Sequence, residues 1–218
     1  MEILAKKYII MSTRKKILYL LLFLSPICLS SCVTVGIEKS KYKVTEKEGK
    51  LEIRQYSPQI VAETLVDADF EDASNVAFRR LFDYISGNNR KKESISMTAP
   101  VNQKARSEKI SMTAPVNQYQ SKGKFTVSFV MPSKYSMESL PEPLDSNVVL
   151  REVPSRKLAA IRYSGSWSKK KYEAQKGLLE EFIRNKGLKI TGEAIFARYD
   201  PPFQLSFLRR NEVLIPVE

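Results

Sequence analysis

The sequence predicts an α+β body made of two strand–strand–helix–strand units. Three observations carry this. Apolar residues alternate over Tyr42–Val44, Leu51–Ile53 and Ile60–Val66, and again over Val148–Val153 and Lys157–Tyr163. A helical pattern follows each set, over about 70–85 and about 167–186. The halves also match weakly at an offset of 97. Arg54-Gln55-Tyr56 falls on Arg151-Glu152-Val153, Ala62 on Ala159, Leu81-Phe82 on Leu178-Leu179, and Ile85 on Phe182.

Local chemistry supports each element. Asp69 is an N-cap residue for the first helix, Asp72 favours its positive end, and Gly87 closes it. Extended segments follow near 94–102, 109–118 and 124–131, the last with Phe125, Val127, Phe129 and Met131 on one face. A connection rich in proline (Pro132, Pro141, Pro143) divides the halves. Ser166 is the expected cap of the second helix and Gly187 its end, with strands expected over about 193–199, 205–209 and 212–217.

The two helices differ. The second carries one apolar stripe, Tyr172, Leu178, Leu179, Phe182 and Ile183. The first has Phe70, Ala73, Ala77, Leu81 and Tyr84, and adds Phe78 and Phe82, an i,i+4 pair rotated roughly 100–140° from the stripe centre. Two off-stripe phenylalanines imply either an apolar groove or a covering strand or Pro-rich loop. A tandem repeat is also evident: Ile95–Gln103 recurs identically as Ile110–Gln118 around the polar Lys104–Lys109 linker. It forms a hairpin with a ligand role, or merely lengthens a loop. Pro100 and Pro115 each remove a ladder donor, which suits edges or bulges.

Composition narrows the chemistry. The 218 residues include no histidine and two cysteines, and 36 Lys+Arg oppose 24 Asp+Glu. Histidine triads, histidine metal sites and His-ligated haem are thereby excluded. Residues 1–31 read as a lipoprotein-type signal peptide, with a basic n-region (Lys6, Lys7, Arg14, Lys15, Lys16) and an apolar Ile17–Leu24 core. Leu29-Ser30-Ser31-Cys32 resembles a lipobox, making Cys32 the lipidation residue and membrane tether. Translation starts at Met1 or Met11. Cleavage before Cys32 leaves 31 basic and 23 acidic residues, net +8. Residues 32–40 are then a linker and 41–218 the folded domain. Lysines scattered over an exported surface point away from nucleic acid as a partner. Val33 after the cysteine favours the outer membrane of a two-membrane cell, facing the periplasm.

Gly87-Asn88-Asn89 followed by Met97-Thr98-Ala99-Pro100-Val101 resembles the central signature of the SOUL haem-binding family. Arg198-Tyr199-Asp200-Pro201-Pro202-Phe203, then Arg209-Arg210-Asn211-Glu212-Val213, is similar to its C-terminal signature. The resemblance spans about 41–218. It implies a distorted eight-stranded antiparallel barrel or sheet with two flanking helices and a pseudo-twofold. It also implies haem or another tetrapyrrole as ligand, in an apolar groove along the first helix. The family's groove positions fall on Phe78 and Phe82. Arg79 or Arg209 would meet carboxylates, Met97 or Tyr199 would reach iron, and Phe203 would add apolar wall. Met112 and Met131 are further candidate iron ligands, Arg80 and Arg210 further cations. Met97 and Met112 also suit core packing, and Tyr199–Pro202 a rigid turn.

Three functions follow. The first is a membrane-anchored lipoprotein that binds haem, or a similar flat, apolar, anionic ligand, reversibly and without histidine. The second is an envelope interaction module, its protein partner unknown, that keeps the fold without the ligand. The third is a small-molecule hydrolase of the effector-binding fold, using Glu63, Glu193 or Glu212. For Glu212 an ion pair with Arg209 or Arg210 is the simpler expectation.

Overall fold

The structure, a computed structural model, describes residues 37–91, 107–121 and 123–218. The signal peptide, Cys32, the first repeat copy with Met97 and Pro100, and the strand expected near 94–102 lie outside the described residues. Residues 37–218 form one compact unit.

The strands are β1 (Glu38–Lys39), β2 (Tyr42–Glu48), β3 (Leu51–Tyr56), β4 (Gln59–Val66), β5 (Asn89–Arg90), β6 (Thr113–Ala114), β7 (Val116–Ser121), β8 (Lys124–Val130), β9 (Glu142–Pro143), β10 (Val149–Val153), β11 (Arg156–Tyr163), β12 (Ile195–Arg198) and β13 (Asn211–Pro216). The helices are α1 (Phe70–Ser86) and α2 (Lys169–Asn185). Nine strands make one curled antiparallel sheet in the order β10-β4-β8-β7-β12-β13-β11-β3-β2.

The expected duplication is plain in that order. About an axis between β7 and β12, β8 matches β13, β4 matches β11, and β10 matches β3. These eight strands are the symmetric body, and β2 extends one edge. The hairpins β3–β4 and β10–β11 keep the offset of 97. The helices shift by one residue: buried Leu81, Tyr84 and Ile85 match buried Leu179, Phe182 and Ile183. Leu178, expected on the buried stripe, is 51% exposed.

Both helices cover one face. Ala73, Ala77 and Leu81 of α1, fully buried, meet Ala62 and Val66 of β4 and Phe125, Val127 and Phe129 of β8. The alanines let the helix approach the sheet closely. Tyr172, Leu179, Phe182 and Ile183 of α2 meet Ala159, Ile161, Val213 and Ile215. Phe70 joins the two cores, its ring 5.9 Å from Phe125, 5.1 Å from Tyr172 and 5.7 Å from Phe196.

Three local expectations are corrected, and a fourth, the Asp69 cap, is met in position but not through its side chain. The backbone of α2 starts at Ser168, not Ser166, because the Ser168 carbonyl accepts the first helical bond from Tyr172 and its Oγ accepts from Lys171 N–H. Asp69 holds the N-cap position of α1 through its carbonyl, which accepts from Ala73 N–H at 2.8 Å, while its side chain makes no capping bond. The segment at 205–209 is no strand: β12 and β13 pair directly, so residues 199–210 connect them, with a 3₁₀ turn at Ser206–Leu208. The second repeat copy is broken by Pro115, with Thr113–Ala114 pairing β1 and Val116–Gln118 running in β7.

The opposite face carries Tyr56, Leu158, Ala160, Ile195, Ala197, Tyr199 and Leu214. Within it Glu212 is fully buried. Its Oε2 accepts from Arg54 Nη1 at 2.6 Å and Tyr199 Oη at 2.9 Å, and its Oε1 from Arg54 Nη2 at 3.2 Å and Arg210 Nη2 at 2.8 Å. The expected pair with Arg210 is therefore present. Arg54 also donates to Glu52 at 2.8 Å and stacks 4.3 Å from the Tyr42 ring centre. Burial, then the neighbouring Glu212 charge, pushes the Tyr199 phenol well above its usual value, so it stays a donor. Removing one partner of such a pair leaves buried charge uncompensated. Glu212→Gln is expected to lower stability by about 3–5 kcal/mol in urea unfolding. A loss below about 1 kcal/mol, the range of an exposed pair, would contradict this.

Candidate ligand-binding site

On α1, Ser74, Phe78 and Phe82 are spaced i, i+4, i+8 and share one flank. The Phe78 and Phe82 rings stack at 5.7 Å and 12°. Phe78 also sets an edge against Phe129 of β8, at 5.3 Å and 62°. The pair stays 36% and 46% exposed. The other flank of α1 is occupied: Arg80 donates to Thr64 of β4 at 2.8 Å and meets Asp145 at 3.2 Å. The Pro-rich connection is held at that helix by Tyr84, whose hydroxyl donates to the Pro141 carbonyl at 2.9 Å.

The duplicated helix gives an internal control. In the structural register of the helices, Phe78 and Phe82 correspond to Lys176 and Glu180 of α2, a half-buried ion pair at 3.8 Å. The equivalent flank of α2 carries no aromatic pair.

The phenylalanine flank looks toward the middle strands. The Ser74 hydroxyl donates to Gln118 Oε1 of β7, and Gln118 Nε2 donates to the Phe70 carbonyl at 2.8 Å. The same Gln118 Oε1 accepts from Arg198 Nη2 of β12 at 2.7 Å. Arg198 is only 9% exposed, with its guanidinium 5.1 Å from the Phe196 ring and 5.2 Å from the Trp167 ring. Among the described residues it pairs with no carboxylate, its Nε–H lacks an acceptor, and the buried Tyr163 hydroxyl lacks a partner too. Burial pulls the guanidinium down to about 10, with Tyr163 opposing the shift, so it remains a cation near neutrality. A buried cation with a spare donor, linked through Gln118 and Ser74 to the flank that carries the aromatic pair, has the chemistry to pair with a carboxylate.

The expected site residues separate. Phe78 and Phe82 come together. Arg79 is exposed on the outer surface of the same helix. Tyr199 is buried on the other face of the sheet and spends its hydroxyl on Glu212, so it does not join them. Met131 is in the first core and Met112 packs against it. Phe203 is exposed on the β12–β13 connection. Arg209 is half-buried there, donating to the Gln204 carbonyl at 2.8 Å and the Pro202 carbonyl at 2.6 Å. Met97 and Cys32 lie outside the described residues. Of the three candidate acids, Glu63 is clamped by Arg151 at 2.9 and 2.8 Å, Glu212 is doubly paired and Glu193 is exposed.

Arg198 and Gln118 escaped the sequence reading. Their signal was faint: Arg198 opens the C-terminal motif, and strand alternation puts it on the side of Phe196. A separate cavity of about 530 Å³ lies where the β3–β4 and β10–β11 turns meet β1. It is lined by Lys39, Lys41, Ile60, Met131, Tyr135 and Val153 among others, and shares no residue with the α1 flank.

The family pattern described as SOUL heme-binding protein matches residues 37–216. The chain is 31% identical over 185 residues to heme-binding protein 2 of Homo sapiens, covering 82% of this chain and 85% of that one. It is 30% identical over 178 residues to heme-binding protein 2 of Mus musculus, covering 80% and 82%. The crystal structure of the EcmrR C-terminal domain superimposes with a TM-score of 0.56 at 11% identity, covering 81% of this chain and 98% of that one, a likeness of fold alone. A pattern match across the whole two-helix body, with relatives of this identity and coverage, establishes that the chain belongs to the SOUL heme-binding protein family.

Proposed function

We propose that the chain binds haem or a related tetrapyrrole on the helix side of the sheet, against Phe78 and Phe82. The observation that carries this is the exposed, stacked phenylalanine pair where the duplicated helix has an ion pair. Family membership and the names of the mammalian relatives support the ligand class. The residues fit a tetrapyrrole through its ring and its carboxylates. The ring covers apolar and aromatic surface, worth about 25 cal/mol per Å². Arg198 offers a spare N–H and an unpaired charge to a carboxylate. Asp83, exposed one residue beyond Phe82, repels a carboxylate at that end and orients the acidic edge toward Arg198. With no histidine in the chain, affinity comes from ring and carboxylate rather than from a histidine–iron bond.

In the same reading the protein is a lipoprotein of the cell envelope, held by lipid on Cys32 and facing the periplasm from the outer membrane where two membranes exist. The basic n-region, the short apolar core and Leu29-Ser30-Ser31-Cys32 support this. Binding is reversible, as suits a carrier.

Haemin and metal-free protoporphyrin are expected to bind within about threefold of one another, since the contact is with the ring. Phe82→Ala should weaken both by about 3–10-fold. Arg198→Gln should erase the preference for the free diacid over its dimethyl ester. Absorbance titration that shows no change at micromolar ligand would overturn the assignment. For the anchor, the wild-type chain should incorporate labelled fatty acid and a Cys32→Ser chain should not. A wild-type chain without label, or label that persists in Cys32→Ser, would contradict lipidation.

A further inference from the structure

The connection between β12 and β13 holds an unusual apolar tip. Phe203, Leu205, Phe207 and Leu208 are 74, 58, 67 and 51% exposed. Four large apolar side chains exposed within six residues are a concentration that marks an interaction surface rather than ordinary scatter. The tip is rigid at its base. Asp200 accepts the Arg210 N–H, Arg209 donates to the carbonyls of Pro202 and Gln204, and Leu208 N–H donates to the Leu205 carbonyl at 2.9 Å. The exposed rings and leucines therefore stand out from a fixed loop.

The surroundings of the tip are basic and amphipathic. The Arg209 guanidinium lies 4.4 Å from the Trp167 ring, and Trp167 Nε1 donates to Asn211 Oδ1 at 2.8 Å. Trp167 leads directly into the first turn of α2, which carries Lys169, Lys170 and Lys171. Among the described residues, Glu71, which meets Lys169 N–H at 3.5 Å, and Asp200 are the acids that accept hydrogen bonds here. Basic charge thus exceeds acidic charge around the tip.

We propose that this connection is a membrane-docking tip for an anionic bilayer. Phe203, Leu205, Phe207 and Leu208 enter the interface, Trp167 sits at headgroup level, and the exposed Lys169 and Lys170 meet lipid phosphates. Apolar insertion combined with flanking cations is the chemistry of interfacial anchors, and tryptophan prefers that depth. A protruding tip suits a deformable lipid interface, whereas a flat macrocycle needs a slot. The docking rests on neither tetrapyrrole binding nor lipid on Cys32. With both in place, it would orient the α1 flank relative to the bilayer.

Trp167 is the only tryptophan of the chain, and because its ring touches both Arg209 and Arg198, its fluorescence is read on protein free of tetrapyrrole. The full chain is mixed with vesicles of phosphatidylcholine, with or without phosphatidylglycerol, carrying brominated acyl chains. Trp167 emission should shift to the blue and be quenched with the anionic vesicles, and high salt should weaken both effects. Replacing Phe203, Leu205, Phe207 and Leu208 together by Ser should reduce quenching about tenfold or more while leaving far-UV dichroism unchanged. Lys169→Glu with Lys170→Glu, which leaves the tip intact, should remove the preference for anionic vesicles. Quenching that is absent, or equal in wild type and the tip variant, overturns the proposal. So does a tip variant that keeps quenching but loses protoporphyrin binding or self-association, since the surface then serves a ligand or a second copy.

Discussion

A single buried carboxylate organises the body of the protein. Glu212 sits on β13 and Arg54 on β3, with β11 between them. Arg54 lies opposite Leu158 of β11, and Glu212 opposite Arg162. Ala160 lies between those positions and is fully buried. Its single methyl leaves a path for the long guanidinium to cross two strand spacings, about 10 Å. Once Glu212 is out of water, its charge must be met, and Arg54, Arg210 and Tyr199 are fixed by that need. The network ties the first half of the duplication to the last strand of the second.

That constraint assigns the two sides of the sheet different work. The polar chemistry on the side away from the helices is consumed by structure: its acid is paired and its tyrosine hydroxyl is a committed donor. On the helix side a comparable arginine, Arg198, has no acid partner among the described residues. The duplication makes the contrast sharper. Equivalent helix flanks carry Phe78 and Phe82 in one half and Lys176 and Glu180 in the other. The second two pair with each other, whereas the first two leave stacked rings partly exposed.

Much of this was legible in the residues themselves. The alternation of β4 and β11 revealed two hairpins at a constant offset, because each strand buries one face and the pattern has only two phases. The Phe78–Phe82 pair was visible as an off-stripe excess on an otherwise ordinary helix. The rest depended on long-range contacts. Ser166 and Ser168 are equally good caps locally, and only the bonds from Lys171 and Tyr172 N–H to Ser168 mark where the helix begins. Leu178 and Leu179 are neighbours, and only the tilt of α2 on the sheet decided which was buried. Tyr199 and Arg209 share a motif with Arg198, yet strand alternation sends Tyr199 to one face while Arg198 takes the other. Residues 205–209 carry strand-like composition but have no partner strand, since β12 and β13 already pair.

The central claim is that ligand and structural network occupy opposite sides of the sheet. Mapping backbone and arginine side-chain NMR shifts during titration with metal-free protoporphyrin tests this most directly. The account predicts changes concentrated at Ser74, Phe78, Phe82, Gln118 and the Arg198 guanidinium, with Arg54, Tyr199 and Glu212 unmoved. Changes centred on Arg54, Tyr199 and Glu212, with the α1 flank silent, would contradict it.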